Sequence, residues 1–443
     1  MHRPTPRPLA IAIVAGLLQL PAQAALYAVD PGPYPPAPAS GFPAWYQDSH
    51  GRTLDLCLSK AVSSRVAGAP GAPAYMCTLL PTPGVFDDTQ PIVFPTNFPD
   101  EAFWFTADAA IVDAARGITL SFGTAIEAAF AAEEPIAGDQ VSFARVRIRV
   151  DVPVAGTYTV THPYGVEVFD VPAGGRRAIN MTRDIGIAGA GDFSGALKGD
   201  VGPFLRSVNG PYTEGNERFI GDPNLDEPVT GSPFNTNYVR IEGPNGIDLR
   251  TTVFSVSGKL SEVNRPTPLI PQRSTYSRHT ENGNLRAQQD VFVMAPPAPA
   301  TVTLSSQSPA LALGEANGTG SWYAQSVLNP TLPLTLQVTA DNSLAIATST
   351  PTTTPMPLTD LVVISRAEYS LGSGQLTLVA SSSDETSPPA LTARTGNGAL
   401  IGNLSGSGAV KSMTTGLTPI PPAKVQVSSS HGGSDSEDVV LVP

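Results

Sequence analysis

The stretch Val141-Ser-Phe-Ala-Arg-Val-Arg-Ile-Arg-Val150 decides the fold class of this chain. From Phe143 onward, arginines at positions 145, 147 and 149 alternate with apolar residues at positions 146, 148 and 150. Because successive side chains of a β-strand point to opposite faces of a sheet, this period of two predicts a strand that buries one face only. Half-buried strands of this kind are typical of antiparallel sheets.

Neighbouring segments repeat the pattern between turns. Gly156-Thr-Tyr-Thr-Val-Thr-His162 and Val166-Glu-Val-Phe-Asp-Val171 flank Pro163-Tyr-Gly165, which predicts a hairpin because Pro and Gly favour turns. Turns roughly every 8 to 12 residues near the C-terminus favour a β-sandwich. Further strands are predicted at 177–183, 237–242, 251–257, 301–304, 334–338, 361–365, 375–379, 424–428 and 438–442.

One segment leaves helix and strand open. Thr124-Ala-Ile-Glu-Ala-Ala-Phe-Ala-Ala-Glu-Glu134 is rich in good helix formers, which favours a helix. The segment also continues an alternation of apolar residues at 118, 120 and 122, which favours one long strand. A short helix is predicted at 192–198. None of these outcomes changes the fold class.

The composition points to the same class. Charged residues make up 14% of the chain, whereas soluble domains usually have about 25%. The 41 glycines and 45 prolines interrupt the chain too often for long helices, while 41% hydrophobic residues are too many for wholesale disorder. Short strands joined by frequent turns remain.

The strand rhythm resembles that of known modules. Residues 360–369, 375–383 and 423–430 are similar to the Ig-like modules of exported bacterial proteins. Phe42-Pro-Ala-Trp-Tyr-Gln-Asp48 and residues 143–150 resemble secreted bacterial proteins that are themselves uncharacterised. The resemblance implies Ig-like sandwiches and export, and it assigns no functional residue. The last module has neither the Cys pair nor the core Trp of Ig domains.

The length predicts several domains, since 443 residues exceed the roughly 250 to 300 at which a single core stops growing. The predicted fold class is all-β, with tandem antiparallel β-sandwich domains of Ig-like or jelly-roll-like type and a disulfide-linked N-terminal segment. The expected division is a signal peptide (1–24), a Pro-rich leader (25–43), an N-terminal β-sandwich domain (44–263), an Ig-like module ending in a Pro/Thr linker (264–357) and a C-terminal Ig-like module (358–443).

The first 24 residues have the three parts of a signal peptide. A basic start with Arg3 and Arg7 precedes an apolar run from Leu9 to Leu18, and small residues lead up to a cleavage point after Ala24. The run is too short to cross about 30 Å of hydrocarbon. We therefore expect an exported chain with no transmembrane segment after cleavage, located in the periplasm, at the cell surface or outside the cell.

Cys57 and Cys77 are the two cysteines of the chain. In an oxidising compartment, such a pair predicts a disulfide that is worth about 3 kcal/mol on the loop-entropy model. Metal or redox chemistry would favour a Cys-x-x-Cys spacing, which is not present.

Charge and oxygen-rich motifs bear on the partners. The net charge of −12 would repel a phosphate backbone, so we expect no nucleic-acid partner. Asp222, Asn224 and Asp226 place oxygens at the alternate spacing of a Ca²⁺ loop, but Glu227 and Pro233 stand where such a loop needs Gly and a bidentate carboxylate. A self-capping turn is the competing interpretation. No other cofactor is expected.

Two aromatic groups suggest a binding surface. Trp45 and Tyr46, with Trp104 in the triplet Phe103-Trp-Phe105, would stack on sugar rings if they were exposed, and would form core if they were buried. A polysaccharide or a surface protein is the expected partner in the first case.

No motif predicts catalysis. The adjacent pairs Asp87-Asp88 and Glu133-Glu134 would point to opposite faces of a strand, which argues against a shared glycosidase site. There is no Gly-x-Ser-x-Gly elbow, and the histidines are scattered. The leading interpretation is a non-enzymatic exported bacterial protein with a structural, adhesive or binding role. The alternatives are carbohydrate binding by the N-terminal domain and, third, a hydrolase with an unrecognised site.

Overall fold

Strands joined by turns account for nearly all regular structure in the computed structural model, which describes residues 25–35, 40–305, 310–417 and 420–443. The predicted signal peptide, residues 1–24, lies outside the described residues. Apart from strands, the described chain has two short 3₁₀ turns, Ser194–Lys198 and Pro244–Gly246. The first falls within the short helix predicted at 192–198.

The N-terminal unit consists of three sheets around one large apolar core. The sheet orders are β10-β13-β16-β4-β5-β6-β9, β1-β2-β3-β17-β12-β11 and β15-β14-β7-β8. The strands are β1 (Leu26–Val29), β2 (Trp45–Asp48), β3 (Thr53–Asp55), β4 (Glu101–Asp113), β5 (Ile118–Phe130), β6 (Gln140–Val152), β7 (Gly156–His162), β8 (Gly165–Val171), β9 (Gly175–Ile185), β10 (Arg206–Ser207), β11 (Tyr212–Glu214), β12 (Glu217–Phe219), β13 (Glu227–Thr230), β14 (Val239–Gly243), β15 (Ile247–Thr251), β16 (Val253–Ser257) and β17 (Lys259–Leu260).

The strand that decides the fold class lies inside the largest sheet. β6 pairs antiparallel with β5 on one side and with β9 on the other. Val146, Ile148 and Val150 are buried, while the three arginines at positions 145, 147 and 149 are half-buried. The predicted hairpin is also confirmed, since β7 and β8 pair antiparallel and end with His162 opposite Gly165.

Residues 118–130 form a strand, so the strand alternative was correct there. β5 pairs with β6 from Thr119 to Phe130 and buries Ile126, Ala128 and Phe130. A helix would have removed this strand from between its two neighbours, so tertiary pairing outweighs the helix propensity of its alanines.

The middle sandwich consists of two main facing sheets, β23-β24-β20-β19-β28 and β22-β21-β25-β27. Its core includes Val293 and Trp322 from the first sheet and Leu304, Leu336 and Val338 from the second. Its strands are β18 (Arg265–Pro266), β19 (Ile270–Glu281), β20 (Asn284–Met294), β21 (Thr301–Leu304), β22 (Leu311–Ala312), β23 (Gly314–Glu315), β24 (Ser321–Gln325), β25 (Thr335–Asp341), β26 (Ser349–Thr350), β27 (Thr352–Pro357) and β28 (Thr359–Asp360).

The C-terminal sandwich has two four-stranded sheets, β33-β30-β29-β36 and β32-β31-β34-β35. Leu376 and Leu378 of one sheet pack with Leu391, Val425 and Val427 of the other. The strands are β29 (Val362–Ser370), β30 (Gln375–Ser382), β31 (Leu391–Thr395), β32 (Leu400–Asn403), β33 (Val410–Gly416), β34 (Lys424–Ser429), β35 (Ser434–Asp438) and β36 (Val440–Val442).

The fold class is thus all-β, with tandem sandwiches built mainly of antiparallel strands. In the described residues, three strand pairs are parallel: β18 with β26, β19 with β28, and β29 with β36. β28 and β36 each add a short edge strand to a larger sheet, whereas β18 and β26 form a two-stranded sheet of their own, and the antiparallel pairs form the rest of the architecture.

The Pro/Thr linker predicted at the end of the middle module, residues 348–357, is wrong, because most of these residues form an edge strand. β27 pairs with β25 over six residues, from Thr352 opposite Ala340 to Pro357 opposite Thr335. Proline cannot donate a ladder hydrogen bond, but an edge strand uses only one of its two sides. The threonines supply the β propensity, and Met356 is buried in the core.

The predicted Pro-rich leader at 25–43 also needs correction. Its first residues form β1, which pairs with β2, and Leu26 is buried. Phe42, near its end, belongs to the core of the N-terminal unit. Residues 36–39 lie outside the described residues.

Candidate functional site

Two of the three aromatic residues predicted as a binding platform are core residues. Tyr46 and Trp104 both have 0% exposure, and their rings meet edge to face with centroids 4.8 Å apart. The Tyr46 hydroxyl donates to the Phe193 carbonyl at 2.8 Å, and Trp104 Nε1 donates to the Pro43 carbonyl at 3.2 Å. Their rings therefore cannot stack on a ligand, which corrects the platform interpretation for these two positions.

Trp45 differs because neighbouring strand residues face opposite ways. It is half-buried and lines an open groove of about 750 Å³ together with Phe94, Asp55 and Ser261. The Arg265 guanidinium lies 4.1 Å from the centre of its ring. Trp45 is thus the member of the predicted platform that a ligand can reach.

Asp222, the first residue of the predicted Ca²⁺ loop, is bonded within the protein. One carboxylate oxygen accepts the Asn224 backbone N–H at 3.0 Å, and the other accepts Ser63 Oγ at 2.5 Å and Arg65 Nε at 3.1 Å. Asp226 is exposed. This arrangement is the self-capping turn, with a guanidinium at the carboxylate. Within the described parts of the chain, no three His, Cys, Asp or Glu side chains are grouped to hold a metal ion.

Cys57 and Cys77 form the predicted disulfide, with an S–S distance of 2.02 Å. Both are buried beside Met76 and Phe219 in a small apolar cluster of their own. The crosslink therefore closes a loop within the irregular segment between β3 and β4, which packs against Phe219 of β12, and it contributes no reactive thiol.

The side chains considered for catalysis do not converge. Glu133 and Glu134 lie exposed in the turn after β5, and Asp87 is exposed in a loop. His50 and His162 are buried, whereas His279 is exposed on the middle sandwich. These positions supply no acid–base pair around a common cleft.

A cavity of about 430 Å³, here called the arginine pocket, lies between the N-terminal unit and the middle sandwich. Arg52 and Arg206 line one side, and Ser343–Thr348 of the middle sandwich line the other. The remaining walls consist of Thr53, Gly210, Pro211, Arg218, Ile220, Leu260, Ser261 and Glu262. Ser261 also lines the groove of Trp45, so the two cavities adjoin.

Asp48 brings the two arginines together. Its carboxylate closes the turn between β2 and β3 by accepting the N–H groups of His50 at 3.0 Å and Arg52 at 2.8 Å. The other oxygen accepts the Phe204 N–H at 2.8 Å, two residues before Arg206. A buried carboxylate with three N–H donors therefore holds the turn and the 204–206 segment side by side.

Gly51 completes the same turn. Its φ of +86° lies in the left-handed region, which glycine adopts without steric cost. A Cβ at this position would also lie 3.1 Å from Asn342 Nδ2 of the middle sandwich. That amide donates to the His50 carbonyl at 3.2 Å, which joins the turn to the other wall of the pocket.

Among the described residues, the two guanidiniums have no carboxylate partner. In the part of the chain that the structure describes, neither forms an ion pair within 4.0 Å or a side-chain hydrogen bond. Burial, together with the neighbouring charge of Arg52, lowers the pKa of Arg206 to about 10. Burial likewise lowers the pKa of Arg52. The pocket is therefore a half-buried cationic site in an acidic protein.

Arg52 and Arg206 carry no functional signal of their own in the sequence. They lie far apart in the chain and belong to no motif. The turn Asp48-Ser-His-Gly-Arg52 was the available signal, since an Asp capping a Gly-containing turn displays the residue that follows it.

Comparisons with known proteins give no family. No family model matches the chain, and no curated protein matches it. None of the described helices is long and apolar enough to cross a membrane.

Some solved structures are similar to the chain at low identity. The ectodomain of the teleost fish polymeric Ig receptor is 6% identical over 39% of this chain and 98% of that one, with a TM-score of 0.21. A 1.5-MDa bacterial ice-binding adhesin is 11% identical over 68% of this chain and 91% of that structure, with a TM-score of 0.15. Escherichia coli alpha-2-macroglobulin is 11% identical over 74% of this chain and 35% of that one, with a TM-score of 0.14. These TM-scores are too low to carry an argument about function.

Proposed function

We propose that the chain is an exported, non-enzymatic bacterial protein with a structural or adhesive role at the envelope or outside the cell. In this role its rigidly joined units hold a binding surface in a fixed position. The observation that supports this role most directly is the way the three units are joined. Their joints consist of buried polar contacts and strand pairing, and the disulfide fits an oxidising compartment outside the cytoplasm.

The joint between the N-terminal unit and the middle sandwich is polar and close. Besides the bond from Asn342 to the His50 carbonyl, Gln47 Nε2 donates to the Pro266 carbonyl at 3.2 Å. Asn342 and Gln47 are both buried. Because a buried polar group that loses its partner costs free energy, bending at this joint is unfavourable.

The joint between the middle and C-terminal sandwiches centres on Asp384, which is fully buried. The Tyr276 hydroxyl donates to it at 3.0 Å, and the Arg278 guanidinium binds both of its oxygens. His431 Nδ1 lies 3.3 Å from the same carboxylate. The backbone of Arg278 also pairs with residues 383 and 385. This network holds the two sandwiches in one orientation.

The experiment compares solution scattering of the parent chain with that of Asp384→Ala. We expect the parent curve to fit a rigid particle, and the variant to have a larger radius of gyration because the joint opens. Glu368→Ala is the matched control, since Glu368 pairs with Arg366 on the exposed face of the same sandwich. A variant curve that superimposes on the parent curve would contradict the role of this joint.

The non-enzymatic part of the proposal has its own test. We expect the purified chain to release no product from a broad panel of polysaccharides, esters and peptides. Turnover of any of them, with the activity co-purifying with the chain, would overturn the non-enzymatic proposal.

A second candidate function, carbohydrate binding by the N-terminal unit, is favoured by Trp45 in its groove. A half-buried ring beside polar groups provides a face on which a sugar stacks. On a glycan array, we expect Trp45→Ala to lose any signal that the parent gives. Phe234→Ala is the control, because Phe234 is 52% exposed and does not line the groove. An undiminished signal from Trp45→Ala would exclude this groove.

A further inference from the structure

Two partly buried arginine side chains elsewhere in this chain, those of Arg65 and Arg145, have carboxylate partners. Arg65 contacts Asp222 at 3.0 Å, and Arg145 contacts Glu127 at 2.9 Å. Pairing of this kind is expected, because removing a guanidinium from water without a counter-charge is unfavourable. Among the described residues, Arg52 and Arg206 have no such partner, and the two of them line one pocket.

Nearby acids do not satisfy the two arginines. Asp48 attracts both electrostatically, but its oxygens accept three backbone N–H groups and form no ion pair with either guanidinium. Glu262 lies on the rim of the pocket, where it pairs with Arg218 at 3.6 Å. The five N–H donors of each half-buried guanidinium are therefore available to a ligand.

The volume and the apolar lining of the pocket indicate how large the ligand is and that part of it is uncharged. About 430 Å³ lies in the range of roughly 300 to 1,000 Å³ that is usual for small-molecule sites. Ile220, Leu260 and Ile346 supply apolar walls beside the charged side. A bare inorganic ion would leave these walls uncovered, whereas an anion on a sugar-sized body would cover them.

We propose that the arginine pocket binds a small organic anion, with Arg52 and Arg206 holding its carboxylate or phosphate group and the apolar walls covering its body. Guanidinium forks match the planar oxygens of a carboxylate and the oxygens of a phosphate in a bidentate manner. The middle sandwich completes the site through residues 343–348, so the ligand contacts both units. The pocket would bind this ligand whether or not the chain has an adhesive role.

The test is titration calorimetry of the full purified chain with glucuronate, glucose 1-phosphate, inorganic phosphate and neutral glucose. We expect both sugar anions to bind at least about tenfold more tightly than glucose, as charge-assisted hydrogen bonds predict. They should also bind more tightly than inorganic phosphate. The tighter of the two identifies the preferred head group, and affinity should fall as the salt concentration rises.

Variants locate the site. Arg52→Gln and Arg206→Gln should each weaken anion binding about tenfold, because each removes one charged fork. Arg394→Gln, on the exposed surface of the C-terminal sandwich, is the matched control and should bind as the parent does. Leu344→Asp is a second variant that should not disturb folding, because Leu344 lines the pocket and is 80% exposed. A carboxylate placed there should repel the anion while leaving the core intact.

Three results would overturn the proposal. The first is the absence of binding by either sugar anion at the highest concentration tested. The second is equal affinity for glucose and the sugar anions. The third is unchanged anion binding in folded Arg206→Gln and Leu344→Asp, which would place the anion elsewhere on the chain.

Discussion

At the scale of single residues, burial controls the charges around the turn between β2 and β3. Burial raises the pKa of Asp48 to about 6, and burial beside Arg52 and Arg206 lowers the pKa of His50 to about 3. His50 is 8% exposed and therefore stays neutral in the folded chain at neutral pH. The two residues respond to acid in opposite directions. Asp48 takes up a proton more readily in the folded chain, whereas His50 takes one up more readily when the chain unfolds.

The pH dependence of the free energy of unfolding should show that His50 is buried in its neutral form. Since its pKa is lowered on folding, its contribution is present above about pH 6.5 and is lost as the pH falls towards 3. Between pH 6.5 and 4.5, the free energy of unfolding of the parent relative to His50→Gln should fall by about 2 kcal/mol. Urea unfolding at several pH values measures this difference.

The comparison with a variant cancels the opposing contribution of Asp48. Exposed His279 is the control position, and His279→Gln should track the parent at every pH. If the difference between parent and His50→Gln were constant from pH 7 to 4.5, His50 would not be a buried neutral base.

At the scale of elements, pairing partners decided what local propensity left open. Residues 124–130 have helix-forming composition, yet they continue a strand because β4 and β6 lie on either side of them. Residues 352–357 contain two prolines, yet they pair with β25 because an edge strand tolerates them. In both cases the outcome depends on strands that lie elsewhere in the chain.

The prolines of β27 should protect an open sheet edge. Pro355 and Pro357 cannot donate hydrogen bonds, and unpaired donors on an edge strand favour pairing with another molecule. We expect the double variant Pro355→Thr/Pro357→Thr to associate in a concentration-dependent manner, as measured by sedimentation velocity. Pro388→Thr, in a loop before β31, is the control. A monomeric double variant at high concentration would show that this edge is protected in some other way.

At the scale of the whole molecule, the described residues contain three large apolar cores that share no residues. The joints between them are polar, which explains how the units keep one orientation without merging their cores. The arginine pocket exists only because two units meet, since its walls come from both.

Separate cores should unfold separately. Leu378 is fully buried in the C-terminal sandwich, and Leu378→Ala should cost that sandwich about 2 to 5 kcal/mol through lost contacts and the cavity it leaves. Differential scanning calorimetry should therefore show one transition at lower temperature and the others unchanged. Leu371→Ala, at a position that is 63% exposed, should have no such effect. A joint shift of all transitions would mean that the chain unfolds as one unit.

The sequence by itself determined the all-β class, the hairpin of β7 and β8, the alternating strand β6 and the cysteine pair, because these depend on residues close together or on residue types that occur only twice. The tertiary structure alone decided that Tyr46 and Trp104 are core while Trp45 is reachable, that residues 352–357 are a strand, and that Arg52 and Arg206 share one pocket. These outcomes depend on which faces and turns distant strands bring together. A local pattern does not contain that information, since burial and charge proximity arise only when the sheets pack.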